Sequence, residues 1–248
     1  MALREEMQKQ GQWLFRWRSY LPLVFVPFML IAAARSAQFQ TVFGNTVDRI
    51  IVIASLTISF LGLAIRCLTI GYTPKRTSGR NTRKQIADTL NTKAIYSVVR
   101  HPLYFGNFVT YLGILIFLRV WWVVLLGGMA FWIYYERIMY NEEEFLRGKF
   151  RDEYLKWSET TPAFFPRLRN WKNPRLRFSL RNVLKREYSG FFAIVVSFTF
   201  LELIINLFEY RKIVLGQNWI VFFLTGLLIY LTLRTLKKKT KLFDVAGR

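Results

Sequence analysis

The chain has 248 residues, of which 53% are hydrophobic and 17% aromatic, and its formal net charge is +21 at pH 7. Its apolar residues fall in long uninterrupted runs, which are typical of membrane spans and argue against an ordinary soluble core. Because Cys67 is the single cysteine and His101 the single histidine, an internal disulfide and a metal site built on several cysteines or histidines are excluded. We therefore predict no metal site.

Six apolar runs predict six transmembrane helices. In chain order, their approximate bounds are 20–34, 50–72, 103–118, 120–135, 190–208 and 219–233. Arg119 alone separates the third and fourth runs, so we predict a helical hairpin over 103–135 that turns at this residue. The expected fold class is an all-α, polytopic transmembrane bundle.

We predict that this bundle is a single integral-membrane domain over 1–248. Residues 96–166 form its expected catalytic core, and 189–233 form an additional C-terminal pair of spans. The sequence has no glycine-rich strand-to-helix fingerprint of a Rossmann cofactor domain.

Basic residues orient these spans. With a cytoplasmic amino terminus, most of the 36 lysines and arginines fall in the cytoplasmic segments, as the positive-inside rule requires. We therefore expect both termini in the cytoplasm, and the inner membrane in a bacterial cell. Such basic loops attract anionic lipid headgroups. This explanation of the charge is preferred over a nucleic-acid partner, and the sequence implies no obligate protein partner.

Two polar segments separate the spans. The first, 73–102, is rich in Lys, Arg, Thr and Asn and is expected to lie against the cytoplasmic headgroups. The second, 136–166, continues the fourth span as a predicted amphipathic helix, because apolar side chains recur there at spacings of four, four and three. Those side chains are Leu146, Phe150, Tyr154 and Trp157. Pro162 and Pro166 are expected to end the helix and return the chain over the membrane surface.

The segment Arg100 to Gly106 reads RHPLYFG. Pro102 is expected to start the third span, because proline is favoured at the first position of a helix. The unpaired amides of that first turn, the helix dipole and the charge of Arg100 together predict an anion-binding site. Alternatively, Arg100 anchors the span at the interface and His101 caps it.

Glu142 and Glu143 lie beyond the fourth span, on the same predicted side of the bilayer as Arg100. Carboxylates there can hold an ammonium group or ribose hydroxyls. The alternative is a solvated helix face.

Together these features resemble the integral-membrane methyltransferases related to isoprenylcysteine carboxyl methyltransferase and phospholipid N-methyltransferase. The pattern of that family is Arg-His-Pro-x-Tyr-x-Gly, then Glu-Glu, then Phe-Gly-x-x-Tyr-x-x-Tyr with a proline-bounded end. Residues 96–166 carry it, with Arg151 at the usual glycine and Trp157 at the second tyrosine.

The resemblance implies S-adenosyl-L-methionine as the cofactor, bound at the cytoplasmic end of the hairpin. Arg100 and Glu143 are the predicted catalytic residues. The predicted cofactor-binding residues are Tyr96, His101, Pro102, Tyr104, Gly106, Glu142 and Glu143.

The basic residues around this site favour an anionic lipid acceptor. An oxyanion is already a nucleophile, whereas an ammonium must first lose a proton, with Glu143 or neutral His101 as the candidate base. Residues 77–82 and 13–20 most resemble the bacterial branch that includes lipid A phosphate methyltransferases, so lipid A or a similar phosphoglycolipid is the best candidate. The predicted substrate-binding residues are Arg76, Arg80, Asn81 and Arg83.

Three alternatives remain. Two of them keep the family but change the acceptor, to an isoprenylcysteine carboxylate or to a phospholipid amine. From another class, a small membrane transporter would place an ionisable residue in a span, as Glu202 is in the fifth, although such a residue also packs in a bundle through a hydrogen bond.

Overall fold

The computed structural model describes residues 2–17, 20–36, 39–74, 77, 85–245 and 247. These residues form α-helices, short 3-10 turns and loops, with one isolated bridge between Ala94 and Lys172. The all-α class is confirmed. The α-helices are α1 (Leu3–Trp17), α2 (Val26–Ser36), α3 (Phe39–Tyr72), α4 (Ile95–Val98), α5 (Pro102–Phe117), α6 (Trp121–Thr160), α7 (Leu180–Tyr210) and α8 (Gln217–Lys239).

The chain is an integral membrane protein. Three helical segments are long and apolar enough to cross a bilayer, namely Val42–Tyr72, Leu180–Tyr210 and Gln217–Lys239. Leu23–Ser36 and Pro102–Phe117 are shorter apolar helices. The fourth predicted span is the first part of α6.

Several predicted boundaries were wrong. The first predicted span is broken into a 3-10 helix, Leu21–Phe25, and α2. The amphipathic helix continues the fourth span in α6, as predicted, but a break in helical geometry at Arg151, whose φ is 43°, was not predicted. α7 begins at Leu180, ten residues before the predicted start, because the Ser179 side chain caps it by accepting a hydrogen bond from the Asn182 amide. A span prediction based on apolar runs misses such a polar first turn.

Small residues bring α3 and α5 into close contact. A Cβ atom added at Gly106 would lie 2.7 Å from Arg66 Cγ, and one added at Gly62 would lie 2.6 Å from the Gly106 carbonyl oxygen. The Ser59 hydroxyl donates to the Thr110 carbonyl at 2.9 Å. Small residues allow this approach between membrane helices, and it places the start of α5 beside Arg66.

The hairpin between α5 and α6 turns at Arg119, as predicted. Arg119 has a φ of 57°, the left-handed conformation of a tight turn. Its guanidinium forms an ion pair with Asp48 of α3 and donates to the Phe117 carbonyl at 3.0 Å. These contacts fix the turn against α3. Nearby, the core of the bundle is built from buried apolar residues of α2, α5 and α7, including Ala33, Phe117 and Phe198.

The segment after α6 returns over the start of α5. α6 ends at Thr160, just before Pro162, as predicted. The Arg100 amide donates to the Pro162 carbonyl at 2.9 Å, and the His101 amide donates to the Ala163 carbonyl at 3.2 Å. The predicted apolar row of α6 packs beneath, with Tyr154 and Trp157 buried. This closing segment fixes the backbone of the RHP sequence.

Candidate functional site

His101 lies between two carboxylates. Its Nε2 atom is 2.9 Å from Glu143 Oε1, and its Nδ1 atom is 3.6 Å from Glu142 Oε2. The residue is only 5% exposed. His101 is the residue that precedes α5, but its side chain makes no capping hydrogen bond. The capping alternative is therefore wrong, and the side chain is directed to the two glutamates of α6.

The geometry favours a charged imidazole. Burial opposes protonation of His101, but the hydrogen bonds and charges of Glu142 and Glu143 outweigh it and raise the pKa of the imidazole. Burial also acts to raise the pKa of Glu143, yet His101 and then Arg100 lower it overall. Both ring nitrogens face acceptors, which an imidazolium satisfies with two N–H donors. These contacts favour an imidazolium paired with a carboxylate.

Arg100 completes this cluster. Its Nε atom lies 3.3 Å from Glu143 Oε1, and its Nη1 atom donates to the Tyr154 hydroxyl at 3.5 Å. The Tyr154 hydroxyl in turn bonds Glu143, and burial, followed by the charge of Glu143, raises the pKa of this phenol. The sequence predicted that the RHP segment and the two acids face each other on one side of the bundle, and the structure brings them together.

A polar cavity of about 440 Å³ opens beside this cluster, a volume within the range of small-molecule sites. Most of the predicted cofactor-binding residues line it. These residues are Tyr96, His101, Pro102, Tyr104 and Glu142, and the predicted catalytic residue Arg100 lines it too. Glu143 lies behind His101 rather than in the wall, and Gly106 packs against α3. The roles of these two residues in cofactor binding stay predictions.

The predicted substrate-binding residues lie outside the residues that the structure describes. They are Arg76, Arg80, Asn81 and Arg83. The described residues that flank them, Thr77 and Gln85, line the polar cavity.

Sequence reasoning missed a second polar group in the cavity wall. Arg66 of α3 forms a bidentate ion pair with Glu187 of α7, with N–O distances of 2.8 and 2.9 Å. Arg66 also donates to Asn107 Oδ1 at 2.5 Å, and Asn107 Nδ2 donates to the Tyr135 hydroxyl at 3.2 Å. An ionisable residue within a span is itself a signal of function, and Arg66 offered that signal.

An apolar cavity of about 900 Å³ lies among α1, α2, α5 and α6. Its walls include Trp13, Met29, Ile114 and Phe131, and the basic side chains of Lys9 and Arg137 line part of it. Tyr111 and Tyr135 line both this cavity and the polar one. The two tyrosines therefore mark a junction between a space suited to a polar ligand and a space suited to an acyl or prenyl chain.

The polar cavity has groups that suit S-adenosylmethionine. The buried Nε2 atom of Gln85 makes no hydrogen bond to the described residues, and it can donate to a carboxylate or a purine nitrogen. Glu142 supplies a partly exposed carboxylate for an ammonium or ribose hydroxyls. Tyr96 and Tyr104 supply aromatic surface.

Glu202, the candidate transport residue, lies away from both cavities in α7. Its side chain forms a hydrogen bond with Trp219 of α8 and lies near Arg119. The hydrogen bond with Trp219 agrees with the alternative in which Glu202 packs inside the bundle.

Comparison with known proteins finds a family match over the segment that carries Arg100, His101 and the two glutamates. Residues 79–153 match the family model of phospholipid methyltransferases. The protein-S-isoprenylcysteine O-methyltransferase of Schizosaccharomyces pombe is 32% identical over 77 residues, which are 31% of this chain and 33% of that protein. No solved structure matches the chain significantly.

Two bacterial relatives match over a longer stretch. A cobalt-zinc-cadmium resistance protein of Cupriavidus metallidurans is 33% identical over 113 residues, which are 46% of this chain and 50% of that protein. A nickel-cobalt-cadmium resistance protein of Alcaligenes xylosoxydans is 31% identical over 115 residues, 46% of this chain and 51% of that protein. The chain thus spans about half the length of these relatives. Among the described residues, no group of three or more His, Cys, Asp or Glu side chains is arranged to hold a metal ion.

Proposed function

We propose that this membrane protein transfers a methyl group from S-adenosylmethionine to an anionic lipid-like acceptor. The proposal starts from the match of residues 79–153 to the phospholipid methyltransferase family. One observation carries the proposal: the polar cavity beside Arg100 and His101 meets the apolar cavity at Tyr111 and Tyr135. A water-soluble donor and a membrane-held acceptor are thereby brought to one junction.

The donor would occupy the polar cavity. Glu142 would hold its ammonium group or ribose hydroxyls, while Gln85 and the amides of the first turn of α5 would receive its carboxylate. When bound, S-adenosylmethionine supplies a methyl group on a positively charged sulfur. The remaining task of the protein is to align the acceptor atom with that group, and positioning of this kind supplies much of the rate of a two-substrate reaction.

The charge state of His101 and Glu143 supports an anionic acceptor. An ammonium acceptor has to lose a proton before it attacks, so it needs a base in the site. With the pKa of His101 raised and that of Glu143 lowered, the two groups hold each other as an ion pair, and neither is a ready base. A phosphate or carboxylate oxygen needs no such base.

The acceptor we propose is a phosphate group of lipid A or a similar phosphoglycolipid, with an isoprenylcysteine carboxylate as the second candidate. Its apolar chain would lie in the cavity among α1, α2, α5 and α6. Arg76, Arg80, Asn81 and Arg83 would steer its head group, and Arg100 would help to hold it. We place the site at the cytoplasmic face of a bacterial inner membrane, with both termini in the cytoplasm.

Titration calorimetry of the detergent-solubilised protein with S-adenosylmethionine tests the donor site. Glu142→Gln should weaken binding about tenfold or more, because a hydrogen bond to a charged group is lost. Glu159→Gln is the matched control, since Glu159 is an exposed glutamate on the same helix and should bind as the wild type does. Absence of binding to the wild type would refute the proposed function.

Lipid mass spectrometry tests the acceptor. Cells that express the chain should contain a phosphoglycolipid heavier by one methylene unit than the parent lipid, and cells that express Glu142→Gln should show less of it. If only a phospholipid amine gains methyl groups, the anionic acceptor is wrong.

A further inference from the structure

Tyr135 occupies the boundary between the two cavities. It lies on α6, is 7% exposed and lines both spaces. Its ring stacks on Phe131 at a centroid distance of 4.1 Å and packs against Tyr104 at 5.0 Å. The position of its hydroxyl is therefore well defined, at the place where the acceptor's head group would meet the donor.

A chain of hydrogen bonds reaches this hydroxyl from α7. Glu187, 3% exposed, binds the guanidinium of Arg66 with both carboxylate oxygens. Arg66 donates to the amide oxygen of Asn107, and the amide nitrogen of Asn107 donates to the Tyr135 oxygen. Four helices, α7, α3, α5 and α6, each supply one member.

The direction of this chain is fixed by chemistry. A guanidinium only donates hydrogen bonds, so the Asn107 side chain must turn its oxygen to Arg66 and its NH₂ group to Tyr135. The Tyr135 oxygen then accepts, and its own hydrogen remains to be donated. Among the described residues no hydrogen bond donated by this hydroxyl is found. Because Tyr135 is mostly buried and lines both cavities, an acceptor for it can lie in the cavities, and an unmet donor there is costly.

We propose that the Tyr135 hydroxyl donates a hydrogen bond to an oxygen of the acceptor's anionic head group and thereby selects oxygen acceptors over ammonium ones. The inference rests on the proposed function, because it places the acceptor at the junction of the two cavities. An ammonium head group offers only donors, and the polarity set by Glu187 and Arg66 turns a donor towards it. A phosphoryl or carboxylate oxygen completes the hydrogen bond instead.

The test uses dodecyl phosphate, a single-chain anionic amphiphile, titrated into the full-length protein in a non-ionic detergent. Tyr135→Phe keeps the ring and its packing but removes the donor, so the dissociation constant for dodecyl phosphate should rise about tenfold. Tyr188→Phe is the matched control, because Tyr188 stacks on Tyr230 and does not line either cavity. The control should bind as the wild type does.

A second variant tests the direction of the chain. In Asn107→Asp, a carboxylate accepts from both Arg66 and Tyr135, so the hydroxyl hydrogen is turned away from the cavity. We expect weaker binding of dodecyl phosphate, and no further loss when Tyr135→Phe is added to Asn107→Asp. A purely structural role for Tyr135 predicts that the second substitution weakens binding in both backgrounds.

Three results would overturn the inference: equal affinity of wild type and Tyr135→Phe, preference of the wild type for dodecylamine, or a further loss in the double variant. Titration of the same variants with S-adenosylmethionine separates the two proposals. Tyr135→Phe should lose much less affinity for the donor than for dodecyl phosphate. Failure of the wild type to bind the donor refutes the proposed function and leaves the dodecyl phosphate result to decide the polarity of the junction.

Discussion

Removal of one partner from the ion pair between Arg66 and Glu187 should destabilise the bundle strongly. Arg66→Met leaves the carboxylate of Glu187, whose side chain is 3% exposed, without its two hydrogen bonds. Breaking a buried pair costs ~3–5 kcal/mol. Glu187→Leu should cost less, at the lower end of that range, because the Arg66 side chain is 21% exposed and its guanidinium can recover part of its hydration.

The double variant tests whether an unpaired charge causes the loss of stability. Arg66→Met with Glu187→Leu leaves no unpaired charge, and replacing a buried pair by apolar side chains is often close to neutral. We therefore expect the double variant to be more stable than either single variant and close to the wild type, so the coupling free energy should approach the sum of the two single costs. Unfolding is followed by tryptophan fluorescence in mixed micelles of increasing denaturing-detergent fraction.

Lys185→Met is the matched control on the same helix. Lys185 pairs with Asp244 at 2.6 Å, but both side chains are at least a third exposed, so the substitution should cost less than about 1 kcal/mol. If the costs of the two single substitutions simply add, or if Arg66→Met costs no more than the control, the ion pair does not support the cavity wall as described.

Three further expectations concern the site and its supporting helices. The stability that His101 and Glu143 give the fold, measured as the unfolding difference between wild type and His101→Gln, should be greatest between about pH 4.5 and 6.5. It should fall as the pH drops through the lowered pKa of Glu143 and as the pH rises through the raised pKa of His101; a pH-independent difference would contradict the ion pair. Arg151→Gly should stabilise the protein by about 1 kcal/mol, because a φ of 43° is costly for a residue with a side chain; the same gain in Arg151→Ala would show that the backbone is not the cause. Gly62→Ala should lower the free energy of unfolding by about 1–3 kcal/mol, because the added methyl group overlaps α5; Gly128→Ala, where no atom lies within 4 Å, should be neutral, and equal losses would refute the close contact.

Local signals predicted the hairpin and the core of the candidate site. Arg119 between two apolar runs indicated the turn, Pro102 indicated the start of α5, and Pro162 indicated the end of α6. Each of these is a property of one residue and its immediate neighbours. The proximity of the RHP segment to the two glutamates also followed, because both segments were placed on the same side of the membrane, but the direct pairing of His101 with them did not.

The rest of the cavity depends on packing between distant helices, which a single sequence does not reveal. Arg66, Asn107, Tyr135 and Glu187 come from four helices and meet because α3 and α5 approach closely at Gly62. No periodicity in any one helix encodes that meeting. α1 was missed for a related reason: it is amphipathic rather than uniformly apolar, and its Gly11 is buried against α6.

The hairpin of α5 and α6 is fastened to α3 at both of its ends. At the turn, Arg119 binds Asp48, and at the opposite end Arg66 binds Asn107. These two contacts fix the position of the hairpin along α3. The part of the polar cavity that these helices form therefore has its shape before any ligand binds. We expect ligands to meet a preorganised receptor, which spends little of the binding free energy on ordering the protein.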